Sequence, residues 1–110
     1  MYRVFHSIIR MPNDVPSDSA VPMDIAEVYS ELFPLLKEDG EFIGVVDEAG
    51  TTLQMMYQSE DDLYWFEVPC PEKAGAYGMA LIFDEAADFL RSLDGLIPRE
   101  GYPNFSFSSW

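Results

Sequence analysis

The side chains of this sequence with the clearest chemical potential are carboxylates, and they are concentrated in one segment. Between Lys37 and Lys73 there is neither a lysine nor an arginine. The same segment contains ten acidic residues: Glu38, Asp39, Glu41, Asp47, Glu48, Glu60, Asp61, Asp62, Glu67 and Glu72. Large apolar residues such as Phe42, Met55 and Trp65 are interleaved with them, which is typical of a folded surface rather than an acidic tail. Because charges of one sign repel each other, such a surface favours binding to a basic partner.

The other reactive residue types form no catalytic or metal-binding pattern. His6 is the single histidine and Cys70 the single cysteine, so their number excludes a metal site built on His and Cys ligands. An intrachain disulfide is excluded for the same reason. The acidic run 60–62 lacks the D-x-D-x-D-G spacing of a calcium-binding loop. We therefore predict no catalytic residue, no metal and no cofactor, and we do not expect an enzyme.

Length and composition describe an acidic globular chain. Of its 110 residues, 48% are hydrophobic and 15% aromatic, which is enough to build the core of a single domain spanning 1–110. The formal net charge of -14, from 20 acidic against 6 basic residues, opposes binding to nucleic acid or to an anionic membrane. The first residues lack the continuous apolar stretch of a signal peptide, so we expect a cytoplasmic protein.

Five segments have the β-branched and aromatic content of strands. In chain order they are 2–10, 41–46, 51–58, 63–68 and 79–83. Short turns at 47–50 and 59–62 separate the middle three, which are therefore predicted to form an antiparallel meander. The segments 11–22 and 72–78 are predicted loops, and the aromatic tail is expected either to dock as an edge strand or to stay loose.

Two segments have the apolar periodicity of helices. The first, 24–37, has Asp24 as its expected N-cap, and Pro34 predicts a kink or break near its end. The second, 85–93, is predicted to begin after the N-cap Asp84. Strands grouped in a meander with helices at either end indicate an α+β fold, with an antiparallel meander sheet of about four to five strands packed against two helices.

The meander would bring acidic residues together, because successive hairpin turns lie at opposite ends of a sheet. The entry to its first strand and its second turn then share one end, with large aromatic side chains on the neighbouring strands. The predicted partner-binding residues are Glu38, Asp39, Glu41, Tyr57, Glu60, Asp61, Asp62, Tyr64 and Trp65. Two plainer interpretations stay open: the acids are ordinary solvated turn residues, or the aromatic tail covers the exposed apolar face of the sheet.

Several short runs in the same region resemble a known group of proteins. They are GVVDEAGTTLQ at 44–54, EVPCP at 67–71 and the pair Tyr77-Gly78. Over roughly residues 40–90 the chain resembles small acidic immunity proteins of bacterial polymorphic toxin systems. The resemblance implies a cytoplasmic antitoxin, used in bacterial competition, that binds one cognate toxin and blocks its active site. Immunity proteins vary widely in fold and share no set of binding residues, so the resemblance assigns none here.

The residues and the resemblance together predict a protein that neutralises a toxin enzyme with a basic cleft for nucleic acid or a nucleotide. Its carboxylates would act as phosphate mimics, and aromatic side chains would supply most of the binding energy. We expect a monomer or a weak homodimer. One alternative is a phage-type DNA mimic that inhibits a nuclease. A second is a small carboxylate-dependent hydrolase, recognisable by a concave pocket with two carboxylates of raised pKa. A third is a subunit whose two-faced sheet pairs with its own copy.

Overall fold

The computed structural model describes residues 1–11 and 13–110, so Pro12, which belongs to a predicted loop, lies outside the described residues. The strands of the described part are β1 (Tyr2–Ser7), β2 (Val21–Met23), β3 (Phe42–Val46), β4 (Thr52–Gln58), β5 (Leu63–Cys70), β6 (Gly75–Leu81) and β7 (Ser106–Ser109). These seven strands form one antiparallel sheet in the order β2-β1-β3-β4-β5-β6-β7. Two short helical segments and two isolated 3-10 turns, Ser17–Ser19 and Pro71–Lys73, accompany the sheet in the described part.

The predicted α+β arrangement of four to five strands on two helices is wrong, because further strands extend the sheet at both edges. At one edge β2 pairs with β1, with Val21 opposite Val4. Pro22 makes this segment look like a loop, but proline is tolerated in an edge strand, where half of the backbone groups need no partner. At the other edge Phe107 of β7 lies opposite Tyr77 of β6, so the tail docks as an edge strand.

Strand β6 begins earlier than predicted, at Gly75, because its glycines are packing positions rather than turn residues. A Cβ atom on Gly78 would come within 2.6 Å of Trp65 Cζ2. A Cβ atom on Gly75 would overlap the backbone oxygen of Ser108 and the ring of Phe107. The missing side chains therefore let an indole ring and a neighbouring strand approach the backbone closely.

The first helical segment is irregular because it contains Pro34. It begins as the short helix α1 (Ile25–Glu27), continues as a π-turn (Val28–Leu32) and ends as a 3-10 turn (Phe33–Leu35). Proline lacks an N–H group and its ring crowds the preceding turn, so the backbone widens and Phe33 donates its N–H to Val28 O. The predicted break is confirmed, whereas Asp24 occupies the N-cap position without a side-chain hydrogen bond.

The second helix, α2 (Phe83–Ser92), begins one residue before its predicted N-cap Asp84. Ile82 occupies the N-cap position, and its N–H donates to Glu85 Oε1 at 3.1 Å. The carboxylate of Glu85 therefore satisfies a free N–H at the start of the helix. Asp84 is left exposed to solvent, where it is available for other contacts.

The sheet has a packed face and an open face, since side chains alternate along each strand. The packed face lies against the helical segments in a core made mainly of Val4, Ile43, Val45, Leu53, Met55, Phe66, Val68, Val28, Leu32, Phe33, Ala86 and Leu90. Met56 and Trp65 lie half-buried on the open face, as the alternation predicts. The tail lies on the packed side, where Phe105 stacks on Phe89 with ring centroids 6.0 Å apart, so it does not cover the open face.

Gly44→Ala is expected to destabilise the protein, because Gly44 of β3 lies opposite Phe5 of β1 and a Cβ atom there would overlap the Phe5 ring. The ring has little freedom to move, since it is buried and packs edge-on against Phe42 at 6.1 Å between centroids. We expect urea titration to show a loss of about 1–3 kcal/mol in the free energy of unfolding. Adding Phe5→Leu should recover part of this loss, and strictly additive effects of the two substitutions would contradict the overlap.

Candidate protein-binding surface

One end of the sheet gathers acidic residues from separate connections. Glu38 and Asp39 precede β3 at this end, and the turn between β4 and β5 carries the acidic run 60–62. The two segments are in direct contact, because Asp39 accepts hydrogen bonds from the Ser59 N–H, at 2.7 Å, and from the Ser59 hydroxyl. The juxtaposition that the meander predicts is therefore present in the structure.

A third connection, between β6 and α2, adds two carboxylates to the same end. Because β6 is antiparallel to β5, with Leu81 opposite Tyr64, the start of α2 lies beside the start of β5. We call this surface the acidic end; its members are all exposed and are Glu38, Asp39, Glu60, Asp61, Asp62, Asp84 and Glu85. The last two were missed from sequence, although the direction of the strand that precedes them could have placed them here.

An aromatic cluster made of Phe33, Tyr57, Tyr64 and Phe83 lies beneath the acidic end. Tyr64 packs on Phe33 with ring centroids 4.8 Å apart and on Tyr57 at 5.2 Å. Phe83 stacks on Phe33 at 5.3 Å and is 44% exposed, while the adjacent Ile82 is 52% exposed. The acidic end therefore combines exposed carboxylates with an exposed apolar patch made of Ile82 and Phe83. Protein interfaces likewise combine apolar and polar groups.

Hydrogen bonds within the acidic end favour ionised carboxylates. The bonds from the Ser59 hydroxyl and N–H lower the pKa of Asp39 below its ordinary value. Tyr57 donates its hydroxyl proton to Asp62 at 2.9 Å, and this bond raises the pKa of the tyrosine. The two bonds from Ser59 therefore stabilise the ionised form of Asp39.

Basic residues do little to neutralise the acidic end. Within the described residues, the ion pairs shorter than 4 Å are Arg91 with Asp88, at 2.8 Å, and Lys73 with Glu100, at 3.7 Å. Neither pair involves a carboxylate of the acidic end. Arg10 and Lys37 are the nearby bases, and both belong to the side of this end where β3 begins. In the part of the chain that the structure describes, no ion pair shorter than 4 Å neutralises the turn 60–62.

Glu41 has a different position from the other carboxylates predicted with it. The residue is 3% exposed and accepts hydrogen bonds from the N–H groups of Ile9, Lys37 and Glu38 at 2.8, 2.7 and 2.8 Å. Burial by itself raises the pKa of Glu41, but the three donors and the charge of Arg10 outweigh it, so the pKa is lowered. Glu41 therefore joins the segment after β1 to the segment before β3 instead of facing solvent.

The three predicted aromatic anchors do not share one surface. Tyr64 is 4% exposed and belongs to the core, and Tyr57 beside it is half-buried. Trp65 lies on the open face, where its indole N–H donates to Glu67 at 2.8 Å and its ring covers Gly78. Among these three, Tyr57 is the residue whose polar atom reaches the acidic end, through its bond to Asp62.

Two concave regions lie elsewhere on the molecule. A groove of about 610 Å³ on the open face is lined by residues that include Arg3, Phe5, Phe42, Gln54 and Pro69. A cavity of about 490 Å³, at the end of the sheet opposite the acidic end, is lined by residues that include Tyr2, Asp24, Glu48, Asp94 and Leu96. Neither region contains a residue of the acidic end.

The described residues include no group of three or more His, Cys, Asp or Glu side chains arranged to hold a metal ion. In the same part of the chain, no helix has both the length and the apolar character required to cross a membrane. Comparison of the chain with protein-family models, with curated proteins and with solved structures gives no match.

Proposed function

We propose that this chain is an immunity protein, a cytoplasmic antitoxin that binds a cognate bacterial toxin through the acidic end and blocks the active site of that toxin. One observation carries the proposal: seven exposed carboxylates, those of the acidic end, lie at the same end of the sheet as an exposed apolar patch made of Ile82 and Phe83. The resemblance of residues 40–90 to immunity proteins of polymorphic toxin systems supports the same function.

The toxin best suited to this surface has a positive cleft for nucleic acid or a nucleotide. Glu60, Asp61 and Asp62 project from a hairpin turn, a shape that can enter such a cleft where phosphate groups bind. Charge complementarity of this kind raises association rates by roughly 10- to 1,000-fold and is screened beyond about 10 Å at 0.1 M salt. The acidic end would therefore select a basic partner and speed its capture.

The lifetime of the complex would depend on the apolar patch. Ile82 and Phe83 are exposed, and Phe83 rests on the buried ring of Phe33 at 5.3 Å. A side chain that is already held in place loses little conformational entropy on binding. A carboxylate that becomes desolvated against an arginine of the toxin would contribute as well, and its truncation would cost about 2–5 kcal/mol.

Reversing the charge of the turn should slow association with the toxin. The binding partner to be tested is the product of the adjacent reading frame, co-expressed and purified for the assay. The triple variant is Glu60→Lys, Asp61→Lys and Asp62→Lys. We expect the association rate constant to fall at least about tenfold at roughly 20 mM salt, and its dependence on salt to weaken, because steering by this end is lost. Stopped-flow fluorescence or surface plasmon resonance measures both quantities.

A matched control places the same change in net charge away from the acidic end. Asp18, Asp24 and Glu27 are exposed and lie around β2 and the start of α1, so their replacement by lysine should affect association far less. Equal slowing by the two triple variants would attribute the effect to net charge and contradict the assignment of the surface. Failure of the wild-type chain to rescue growth when the toxin is co-expressed would contradict the proposed function itself.

A further inference from the structure

Strand β7 leaves one edge of the sheet open. Trp110 donates its N–H to Ala74 O at 2.8 Å, continuing the ladder between β7 and β6. Hydrogen-bonded and non-bonded positions alternate in an antiparallel pair, so Ser106 and Ser108 bond to β6 while Phe107 and Ser109 direct their N–H and C=O groups outward. The outer edge therefore offers two donors and two acceptors to another strand.

This edge is short, but it lacks the charged and proline residues that often protect an edge strand. Residues 101–110 contain no charged side chain, and proline is absent from 106–110. Phe107 is 42% exposed and Trp110 is 72% exposed. Lysine, proline or a bulge usually prevents an edge from pairing with another chain. The β7 edge is therefore open to pairing, in contrast to the short β2 edge with its Pro22.

The charge around β7 decides which chain can approach. The charged residues that flank the paired ends of the two strands in sequence are Glu72 and Lys73, before β6, and Arg99 and Glu100, before β7, and their charges cancel. Glu67 lies one strand further into the sheet, opposite Gly78. Lys73 lies 3.7 Å from Glu100, and Arg99 is close enough to Glu72 to help lower the pKa of that carboxylate. A second copy of a chain with net charge -14 is repelled less by this edge, which has no charged side chain of its own, than by the acidic end.

We infer that β7 pairs antiparallel with β7 of a second copy, so that the two sheets join across a twofold axis. A strand that pairs with its own copy in the antiparallel sense forms a closed, isologous contact. The basic toxin of the proposed function is a poor candidate for this position, because the edge carries no acidic side chain of its own. The inference is independent of the proposed function.

The free backbone groups fix the register. Phe105 already donates its N–H to Tyr102 O at 3.0 Å, so the pairing cannot extend in that direction. A register centred on Ser108 places Phe107 of each copy opposite Ser109 of the other. Residues directly opposite then share a face of the sheet. Each of the two Phe107–Ser109 pairs exchanges two hydrogen bonds, so the junction has about four.

The same register gives the exposed aromatic side chains a place to pack. Trp110 of one copy lies opposite Ser106 of the other, on the open face. Ala76 and Gly78 of β6 lie opposite Ser108 and Ser106, and the Trp65 ring already covers Gly78, so Trp110 of the second copy would pack on the two serines beside Trp65. Phe107 keeps its contact with Tyr77, at 5.1 Å between ring centroids, and gains Ser109 of the second copy. Both aromatic residues lose exposure to water.

The two binding surfaces are compatible with each other. Ser109 of β7 lies opposite Gly75 at the start of β6, whereas the acidic end follows Leu81 at the other end of that strand. The junction is small, since it consists of one short strand and two aromatic side chains from each copy. Interfaces of this size are weak, and we expect a dissociation constant on the order of 100 µM.

Sedimentation equilibrium of the purified chain from roughly 5 µM to 1 mM tests the inference. We expect the mass to rise from 12.5 kDa toward twice that value. Ser109→Pro removes an outward N–H without removing a bond to β6, and Phe107→Lys places a charge on the edge, so both variants should stay monomeric. Val21→Lys, at the exposed edge of β2, carries the same added charge and should dimerise like the wild type.

Backbone amide exchange provides a second readout. The N–H groups of Phe107 and Ser109 should exchange more slowly as concentration rises, while that of Trp110 stays protected throughout because of its bond to Ala74. A wild-type chain that remains at 12.5 kDa at the highest concentration would overturn the inference. A dimer that survives both β7 substitutions in folded variants, checked by circular dichroism, would also overturn it. Neither result bears on toxin binding.

Discussion

Glu41→Ala is expected to lower the free energy of unfolding by about 4 kcal/mol, more than any other single carboxylate substitution in the chain. The residue is 3% exposed, and its oxygens accept three backbone N–H groups. Alanine would leave all three donors without a partner, and each buried donor that loses its acceptor costs about 1–3 kcal/mol. The segments after β1 and before β3 would lose the group that joins them.

Glu38→Ala is the matched control, because it removes the same carboxylate from an exposed position three residues earlier. Its effect on the free energy of unfolding should stay within about 0.5 kcal/mol. Urea titration followed by circular dichroism measures both variants. Equal losses in the two variants would show that the three hydrogen bonds do not contribute as inferred.

The contribution of Glu41 should also disappear in acid. Its pKa is lowered from the ordinary value of 4.5, so its stabilisation is complete above pH 4.5 and is lost as the pH falls through the pKa of the folded state. Glu41→Gln should therefore be least different from the wild type at the lowest pH at which both fold. Burial lowers the pKa of His6, so this residue reduces the free energy of unfolding below pH 6.5. The reduction is the same in the wild type and in Glu41→Gln, so it does not affect their difference. A constant difference between pH 7 and pH 3 would contradict this account.

Asp47→Ala should cost about 3 kcal/mol in free energy of unfolding, for a related reason. One carboxylate oxygen accepts the N–H groups of Ala49 and Thr51, each at 2.9 Å, and holds the turn between β3 and β4. The other accepts the N–H of Ile97 at 2.7 Å, in a buried contact between residues 50 positions apart. The substitution would therefore release both a local turn and the segment that follows α2.

Glu48→Ala provides the control for Asp47→Ala, since Glu48 is the exposed neighbour in the same turn. Hydrogen exchange should localise the effect: the Ile97 amide should exchange much faster in Asp47→Ala and at the wild-type rate in Glu48→Ala. Unchanged protection of Ile97 in Asp47→Ala would contradict the long-range role of this carboxylate.

Local patterns predicted the middle of the sheet well. The period of two separates Met55 from Met56 in β4 and Phe66 from Trp65 in β5, as found. Gly50 adopts a positive φ of 87° in the turn after β3, as its position predicts. These features depend on residues close in sequence, which is why they can be derived from it.

The features that were missed depend on residues far apart. In the sequence, Glu41 cannot be distinguished from Glu38, since both are glutamates in the same acidic segment. Glu41 is buried because the segment that follows β1 lies beside it and donates the Ile9 N–H to its carboxylate. In the sequence, the glycines of β6 indicate a loop. Their role as packing positions depends on the contacts of Trp65 and Ser108, which the sequence does not reveal. The direction of each strand decides which residues lie at the acidic end. Asp84 and Glu85 could therefore be assigned to it only once the sheet topology was known.

The three-residue strand β2, with Pro22 in its middle, limits how far this sheet can grow. A sheet with two open edges can add further copies at both edges and polymerise into filaments. The β2 edge is a poor template for another strand, because β2 is short and its proline has no N–H to donate. Pairing through β7 would therefore end with a dimer. The architecture tolerates an uncharged, aromatic outer strand without the hazard of fibril formation.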